Sequence, residues 1–366
     1  MERRVFAHFD WPLLLVVLVL DIIGLTNLYS AVYNPGIEGP SSLFYSQAIF
    51  MGAGLTLMLL VTLVDYRVLE RVAYPLYGLG LMLLAAVLVF GKVISGSQRW
   101  LDLGFFSLQP SEPTKIFYTM ALARFFRDDV RVGGYGLREL VKPLLLASPA
   151  LILIFISPDL GTTGFYVFIF GLMAISMHLR WRTLALILAV AVVAAPLAYE
   201  FVLTDYQRDR VITLLDPHHD PRGKGYQTIQ ARYAIGGGRL LGNGYLQGMQ
   251  THQGFIPENH TDFIITVMAE EWGFVGCAVL LLLYMTLLVL GLRIAAQSKE
   301  RFGAVLAVGL TSIFFLQVAI NLSAVLGVIP VTGVTLPFIS YGGSSILTLH
   351  VAIGLLLNIS MRRYMF

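Results

Sequence analysis

The chain has 366 residues, 57 % of them hydrophobic and only 13 % charged, with a mean hydropathy of +0.76 and a formal net charge of +3. Soluble domains carry about 25 % charged residues, so a water-soluble globular protein is excluded and an all-α polytopic membrane protein is expected, with nothing pointing to nucleic acid. A single cysteine, Cys277, excludes an internal disulfide framework and reads as a small buried hydrophobe.

Apolar runs of about 20 residues cross the hydrocarbon as helices. Ten spans are predicted: Trp11–Ala31, Phe44–Val64, Val72–Val89, Pro113–Phe126, Pro143–Ser157, Leu160–His178, Thr183–Leu203, Phe263–Leu292, Gly303–Leu326 and Ser344–Met361. The first follows Glu2-Arg3-Arg4 without a small-residue cleavage site and reads as a retained span. With the N-terminus inside, sixteen Lys and Arg residues fall on the inner segments, against three (Lys92, Arg99, Lys115) on the short outer ones. That asymmetry puts both termini in the cytoplasm. One membrane domain covers 1–366, with a large extracytoplasmic loop, 204–261, between spans seven and eight.

Two spans are short. Pro113–Phe126 covers about 21 Å of helix against a hydrocarbon core of about 30 Å, and Pro143–Ser157 stops before Pro158, which disfavours helix at Ser157. Their outer ends are therefore expected to line a polar cavity, where irregular backbone is tolerated at depth. These ends carry charge: Ser111 as a helix cap, Glu112 and Lys115 three apart on one face, and Asp159 at the next break. A self-satisfied Glu112–Lys115 pair that only fixes the helix end fits the same spacing.

The large loop holds Arg208, Arg210, Arg222, Lys224, Arg232 and Arg239. Solvated charges suffice to explain them. A basic wall for a diphosphate is the functional reading, led by Arg208 and Arg210, since Arg offers paired donors. Tyr226, Ile229 and Tyr233 suggest a short amphipathic helix on the membrane, and the glycines at 236–238, 242 and 244 suggest turns or a phosphate nest. His218-His219-Asp220 lacks a fourth ligand at useful spacing. Beyond it, Gln253–Gly273 gathers Glu258, His260, Asp262, Glu270 and Glu271 where a polar loop enters an apolar helix. Ionisable residues at a membrane boundary mark a site by default, although Thr261 or Asp262 also suits a helix N-cap. The eighth span, at 30 residues, is too long, so its first two turns either protrude or face the cavity. Between Gly327 and Ser345, two prolines and several glycines exclude a continuous helix and predict a re-entrant element.

Several of these stretches resemble the RodA/FtsW/SpoVE (SEDS) family, its elongation branch more than its division branch. They are Asn321-x5-Gly327-Val328-x-Pro330-Val331-x-Gly333, the run Phe338-Ile339-Ser340-Tyr341-Gly342-Gly343-Ser344-Ser345, and Pro257-Glu258-x-His260-Thr261-Asp262-Phe263-Ile264 with Ala269-Glu270-Glu271-x-Gly273. Asp205-Tyr206-Gln207-Arg208-Asp209-Arg210-Val211, Gln98-Arg99-Trp100 and Gln109-Pro110-Ser111-Glu112 also fit. The resemblance implies a peptidoglycan glycosyltransferase of the cytoplasmic membrane that polymerises lipid II, extending a lipid-linked glycan on the outer face. It further implies a class B penicillin-binding protein (a transpeptidase) as partner, within a cell-elongation complex. It makes Asp262 the essential acid, and the charge and position of the neighbouring residues make Trp100, Glu112, Lys115, Asp159, Arg208, Arg210, Glu258, His260, Ser340, Gly342 and Gly343 substrate-binding candidates. A divalent cation (Mg or Mn) would suit a diphosphate leaving group, but no ligand set stands out. A lipid II flippase is the alternative reading, since broken helices and buried charge suit alternating access. Against it, no internal repeat is visible and the polar chemistry lies on the outer side.

Overall fold

A computed structural model describes residues 9–33, 39–94, 97–102, 104, 106–131, 133–201, 203, 205–216, 224–252 and 254–362. Arg222 and His218-His219-Asp220 lie outside the described residues. Among those described, the helices are α1 (Trp11–Ala31), α2 (Ser42–Leu63), α3 (Tyr66–Arg71), α4 (Ala73–Phe90), α5 (Ser111–Asp128), α6 (Leu137–Ile156), α7 (Leu160–Ser176), α8 (Trp181–Phe201), α9 (Asp205–Leu215), α10 (Lys224–Gly237), α11 (Met249–His252), α12 (Ile264–Gln297), α13 (Arg301–Val325) and α14 (Gly343–Arg362). Eight of them (α1, α2, α4, α6, α8, α12, α13, α14) are long and apolar enough to cross a membrane. Helix α7 is apolar but shorter, and α5 is too polar to qualify.

The bundle's centre is α14, packed along α2, and α13, packed between α12 and α5. Gly354 lets α14 lie directly on α2, because a Cβ there would sit 2.6 Å from the Met58 carbonyl. Asn358 then ends α2 by donating from Nδ2 to the Val61 and Thr62 carbonyls at 2.8 and 3.1 Å, supplying partners that the last helical turn lacks. A histidine–carboxylate contact is sealed inside the bundle. His350 on α14 places Nε2 3.1 Å from Asp21 Oδ2 on α1, and Nδ1 2.9 Å from the Ile346 carbonyl.

Three departures from expectation shape the site. First, the sixth helix starts at Leu137, six residues before Pro143. Gly136 N–H donates to Glu139 Oε2 at 2.9 Å, and both Pro143 and Pro149 lie inside the helix. Its 20 residues reach about 30 Å, so the short-span argument fails there. The break before α7 is present, and Asp159 caps α7 by accepting from Thr162 N–H at 3.0 Å and Thr162 Oγ1 at 2.8 Å. Ser111, expected as a cap, is the first residue of α5 and accepts from the Tyr166 hydroxyl through its carbonyl.

Second, α12 contains a break. Gly273 has φ 64° and ψ −162°, which a Cβ-bearing residue would strain to reach. Segment 238–244 is sewn into the gap. Asn243 and Gly244 N–H donate to the Glu270 and Glu271 carbonyls, and Phe274 and Val275 N–H donate to the Arg239 and Leu240 carbonyls. The glycine loop thus serves backbone pairing with α12, not a phosphate nest. Glu270 and Glu271 neither protrude nor face the cavity. They are buried, Glu270 accepting from Gln250 N–H, Thr251 N–H and Thr251 Oγ1, and Glu271 from Ser30 Oγ.

Third, a small antiparallel sheet sits between α4 and α5, with β1 (Lys92–Ile94), β2 (Ser97–Asp102) and β3 (Ser107–Leu108). Lys92 pairs with Trp100, and Leu101 with Leu108. The stretch is too short and mixed to register as strand in the sequence. Helix α10 forms where an amphipathic helix was expected, but Ala231 and Ala234 are its buried side against α12 while Tyr233 is exposed. Residues 327–342 are non-helical and end in a buried Phe338-Ile339-Ser340 turn.

Candidate active site

Asp262 occupies the turn that leads into α12. Phe263 N–H and Thr261 N–H both donate to the Glu258 carbonyl, at 3.2 and 3.3 Å, and Thr261 Oγ1 donates to Glu258 Oε2. The helix starts at Ile264 after Phe263, with no side-chain cap, so neither Thr261 nor Asp262 is spent on its N-terminus. The turn is bolted to the re-entrant segment. Asn321 Nδ2 on α13 donates to the Asp262 carbonyl (3.0 Å) and the Val334 carbonyl (2.8 Å). Ser340 Oγ donates to the Thr261 carbonyl at 2.7 Å, and Tyr341 N–H to the His260 carbonyl at 2.9 Å.

These segments wall a cavity of about 770 Å³. Asp262, Glu258, His260, Trp100, Glu112, Lys115, Arg210, Gly342 and Gly343 all line it. The Asp262 carboxylate and the Arg99 guanidinium converge beside Gly333, where a Cβ would lie 3.8 Å from Asp262 Oδ2 and 3.8 Å from Arg99 Nη1. On its other side Arg99 reaches Asp159 Oδ2 at 3.1 Å. Asp159 lines an adjoining chamber of about 180 Å³ that shares Arg99 and Arg210 with the main cavity. Arg210 is aimed by donation from Nη1 to the Val331 carbonyl at 2.9 Å. At the floor, Lys115 Nζ donates to Glu112 Oε1 at 2.7 Å and lies 4.6 Å from the centre of the Phe165 ring. Both members of this pair are buried, and an ion pair out of water is costly to keep without further use.

His260 is half-buried, and burial pulls its pKa below the ordinary 6.5, while the Glu258 carboxylate pulls the other way. The imidazole is therefore neutral at pH 7. Asp159 lines only the adjoining chamber, and two other predicted residues reach neither space. Arg208 donates from Nε to the Tyr199 carbonyl at 3.1 Å and from Nη2 to the Glu200 carbonyl, satisfying the C-terminus of α8. Ser340 is buried behind the wall as a tie between loops. The basic wall is therefore built differently from expectation. Arg99 and Lys115 join Arg210, while Arg232 reaches toward the Leu326 carbonyl outside the lining.

The residues whose role went unseen in the sequence are Arg99 and Gln317. Gln317 lines the cavity from α13 and is 1 % exposed. A lone Gln in an apolar span was the signal for it, since polar residues within spans face the interior of the bundle. The cavity's acids are dispersed, Glu112 on Lys115 and Asp159 on Arg99. Among the described residues no three His, Cys, Asp or Glu side chains converge, so the protein alone does not build a cage for a divalent ion, whereas one or two carboxylates together with a substrate diphosphate are the usual Mg2+ arrangement.

Fold and site together define a multi-pass, all-α membrane protein with a charged cavity whose acid, Asp262, stands where a loop meets a helix. The comparisons narrow this class. A family model described as FTSW_RODA_SPOVE, cell cycle protein, matches residues 10–365, and the chain belongs to that family. It is 40 % identical over 366 residues to the peptidoglycan glycosyltransferase MrdB of Escherichia coli K12, covering 98 % of this chain and 95 % of the relative. It is 36 % identical to stage V sporulation protein E of Bacillus subtilis 168, covering 96 % of each. Among solved structures it is similar to a chain from a study of polymerization and crosslinking by a peptidoglycan synthase complex, with TM-score 0.85, 35 % identity, and 98 % and 99 % coverage. It is also similar to the rod shape determining protein RodA of Thermus thermophilus, with TM-score 0.73, 31 % identity, and 97 % and 98 % coverage.

Proposed function

We propose that this chain is a peptidoglycan glycosyltransferase of the inner membrane that polymerises lipid II during cell elongation. Counting α5 and α7 with the eight apolar helices gives ten spans, and the inner excess of Lys and Arg puts both termini in the cytoplasm and the cavity outside. The observation that carries the reading is the Asp262 carboxylate in the cavity wall beside Arg99, with Arg210 and Lys115 in the same lining.

The reaction converts an α-linked sugar diphosphate into a β-1,4 bond by one inverting displacement. Asp262 takes the proton of the acceptor hydroxyl as its oxygen bonds to the anomeric carbon. The bond from that carbon to the phosphate oxygen breaks, and the lipid diphosphate leaves onto Arg99, Arg210 and Lys115. General-base assistance is worth roughly 10²–10⁴-fold, and fixed cations aimed at the leaving charge contribute on a similar scale. Glu258 and neutral His260 orient the Asp262 turn. The exposed apolar side of α12, including Phe274, Leu282, Met285 and Val289, is a docking face for the membrane helix of a class B penicillin-binding protein.

Asp262→Ala, reconstituted with lipid II, is expected to lose glycan polymer by at least 10²-fold while keeping its thermal unfolding midpoint and lipid II affinity. Polymer made at the wild-type rate would remove Asp262 from the chemistry. Movement of lipid II across the bilayer without polymer in the wild-type protein would favour a flippase.

A further inference from the structure

The floor of the cavity contains hydrogen-bonding capacity that the chemistry above does not use. Gln317 is 1 % exposed and Glu112 6 % exposed. Both line the cavity, yet Gln317 Oε1 and Glu112 Oε2 have no hydrogen-bond partner among the described residues. A buried polar atom left unpaired is costly, and a ligand that pairs with it removes that cost. Both atoms are acceptors, so the missing ligand group is a donor. A diphosphate, which only accepts, does not satisfy them.

Gln317 also sits at a telling level. It lies four residues before Asn321 on α13, hence on the same face and about 6 Å lower along the axis. Asn321 is the residue that holds the Asp262 carbonyl. Asp262 and Gln317 line the same cavity, so a sugar ring lying between them can meet both.

The geometry points to Gln317 as the residue that reads the acetamido group of the acceptor amino sugar. A carboxamide and an acetamide are complementary, and the acetamide N–H is the donor that Gln317 Oε1 lacks. Glu112 Oε2, held in place by the Lys115 bond to its other oxygen, accepts from a ring hydroxyl of the same sugar. This rests on the polymerase reading above and adds to it the part of the substrate that Gln317 selects.

The test uses the full chain reconstituted in vesicles and two acceptors: lipid II, and an analogue whose terminal sugar carries hydrogen in place of the acetamido group. Gln317→Met and Gln317→Leu conserve volume, and their unfolding midpoints are measured alongside. With lipid II, both variants are expected to lose 10–100-fold in kcat/KM, the loss of one buried hydrogen-bonded pair. With the acceptor that lacks the acetamido group, the wild type is itself slow and the variants fall by less than about threefold from it. Equal losses on both acceptors, or none on lipid II, overturn the assignment. A wild-type protein that fails to polymerise lipid II overturns the polymerase reading instead.

Discussion

His260 illustrates how burial sets a charge at the edge of this site. Its imidazole resists protonation because burial outweighs the neighbouring Glu258 carboxylate. Between the depressed folded value and the ordinary 6.5, the unfolded chain binds a proton that the folded chain refuses, so stability rises with pH across that window and is lost on acidification. The thermal unfolding midpoint is accordingly expected to fall from pH 7 to pH 5, and to fall less in His260→Gln. Glu258→Gln, which removes the opposing carboxylate, steepens the loss. At this scale the sequence revealed which residues are chemical but not always where they point. Asp262, Lys115 and Glu258 were legible because a charge beside an apolar run has few cheap places to go. Arg208 and Arg210 are two apart in one helix and so point in different directions, yet the sequence could not say which would face the cavity. Ser340 carries the family pattern but holds Thr261 in place from behind.

Among elements, α12 shows what hydropathy alone misses. Its length, 34 residues, was readable as excess. The backbone exchange at Gly273 was not, because it depends on a segment some 30 residues earlier in the chain folding back on it. The glycines at 238 and 242 fit this seam, where a Cβ would meet the Ala269 and Glu271 carbonyls at 1.8 and 2.1 Å. The amides of Asn243 and Gly244 lie outside regular helix but are bonded to buried carbonyls. They are expected to exchange as slowly as helical amides by hydrogen–deuterium exchange mass spectrometry, and Gly273→Ala is expected to release them. From the sequence this span starts at Pro143, whereas Gly136 and Glu139 begin α6 earlier. The small sheet at β1–β3 escaped notice because its strands are stabilised by pairing with one another and not by their own composition.

The whole molecule reverses the plan of a soluble protein. Its exposed surface carries large apolar side chains on almost every span, while Glu112, Lys115, Asp159, Gln317 and His350 are buried inside. One helix departs from the rest of the bundle. From Ala185 to Leu197, α8 has no buried residue, and beyond it Arg208 grips its C-terminal carbonyls while Arg210, two residues on, lines the cavity. A span packed against protein keeps its tilt when the bilayer changes. A span surrounded by acyl chains answers to hydrophobic mismatch, at fractions of a kcal/mol per Å. Membrane thickness is therefore expected to act on α8 before any other span, and through the Arg208–Arg210 segment on Arg210 in the cavity wall. Polymerisation rates measured in vesicles of graded acyl-chain length should pass through an optimum, and Arg208→Ala, which cuts the coupling, should flatten it. In this way the thickness of the lipid around the protein becomes a control on how fast wall material is laid down.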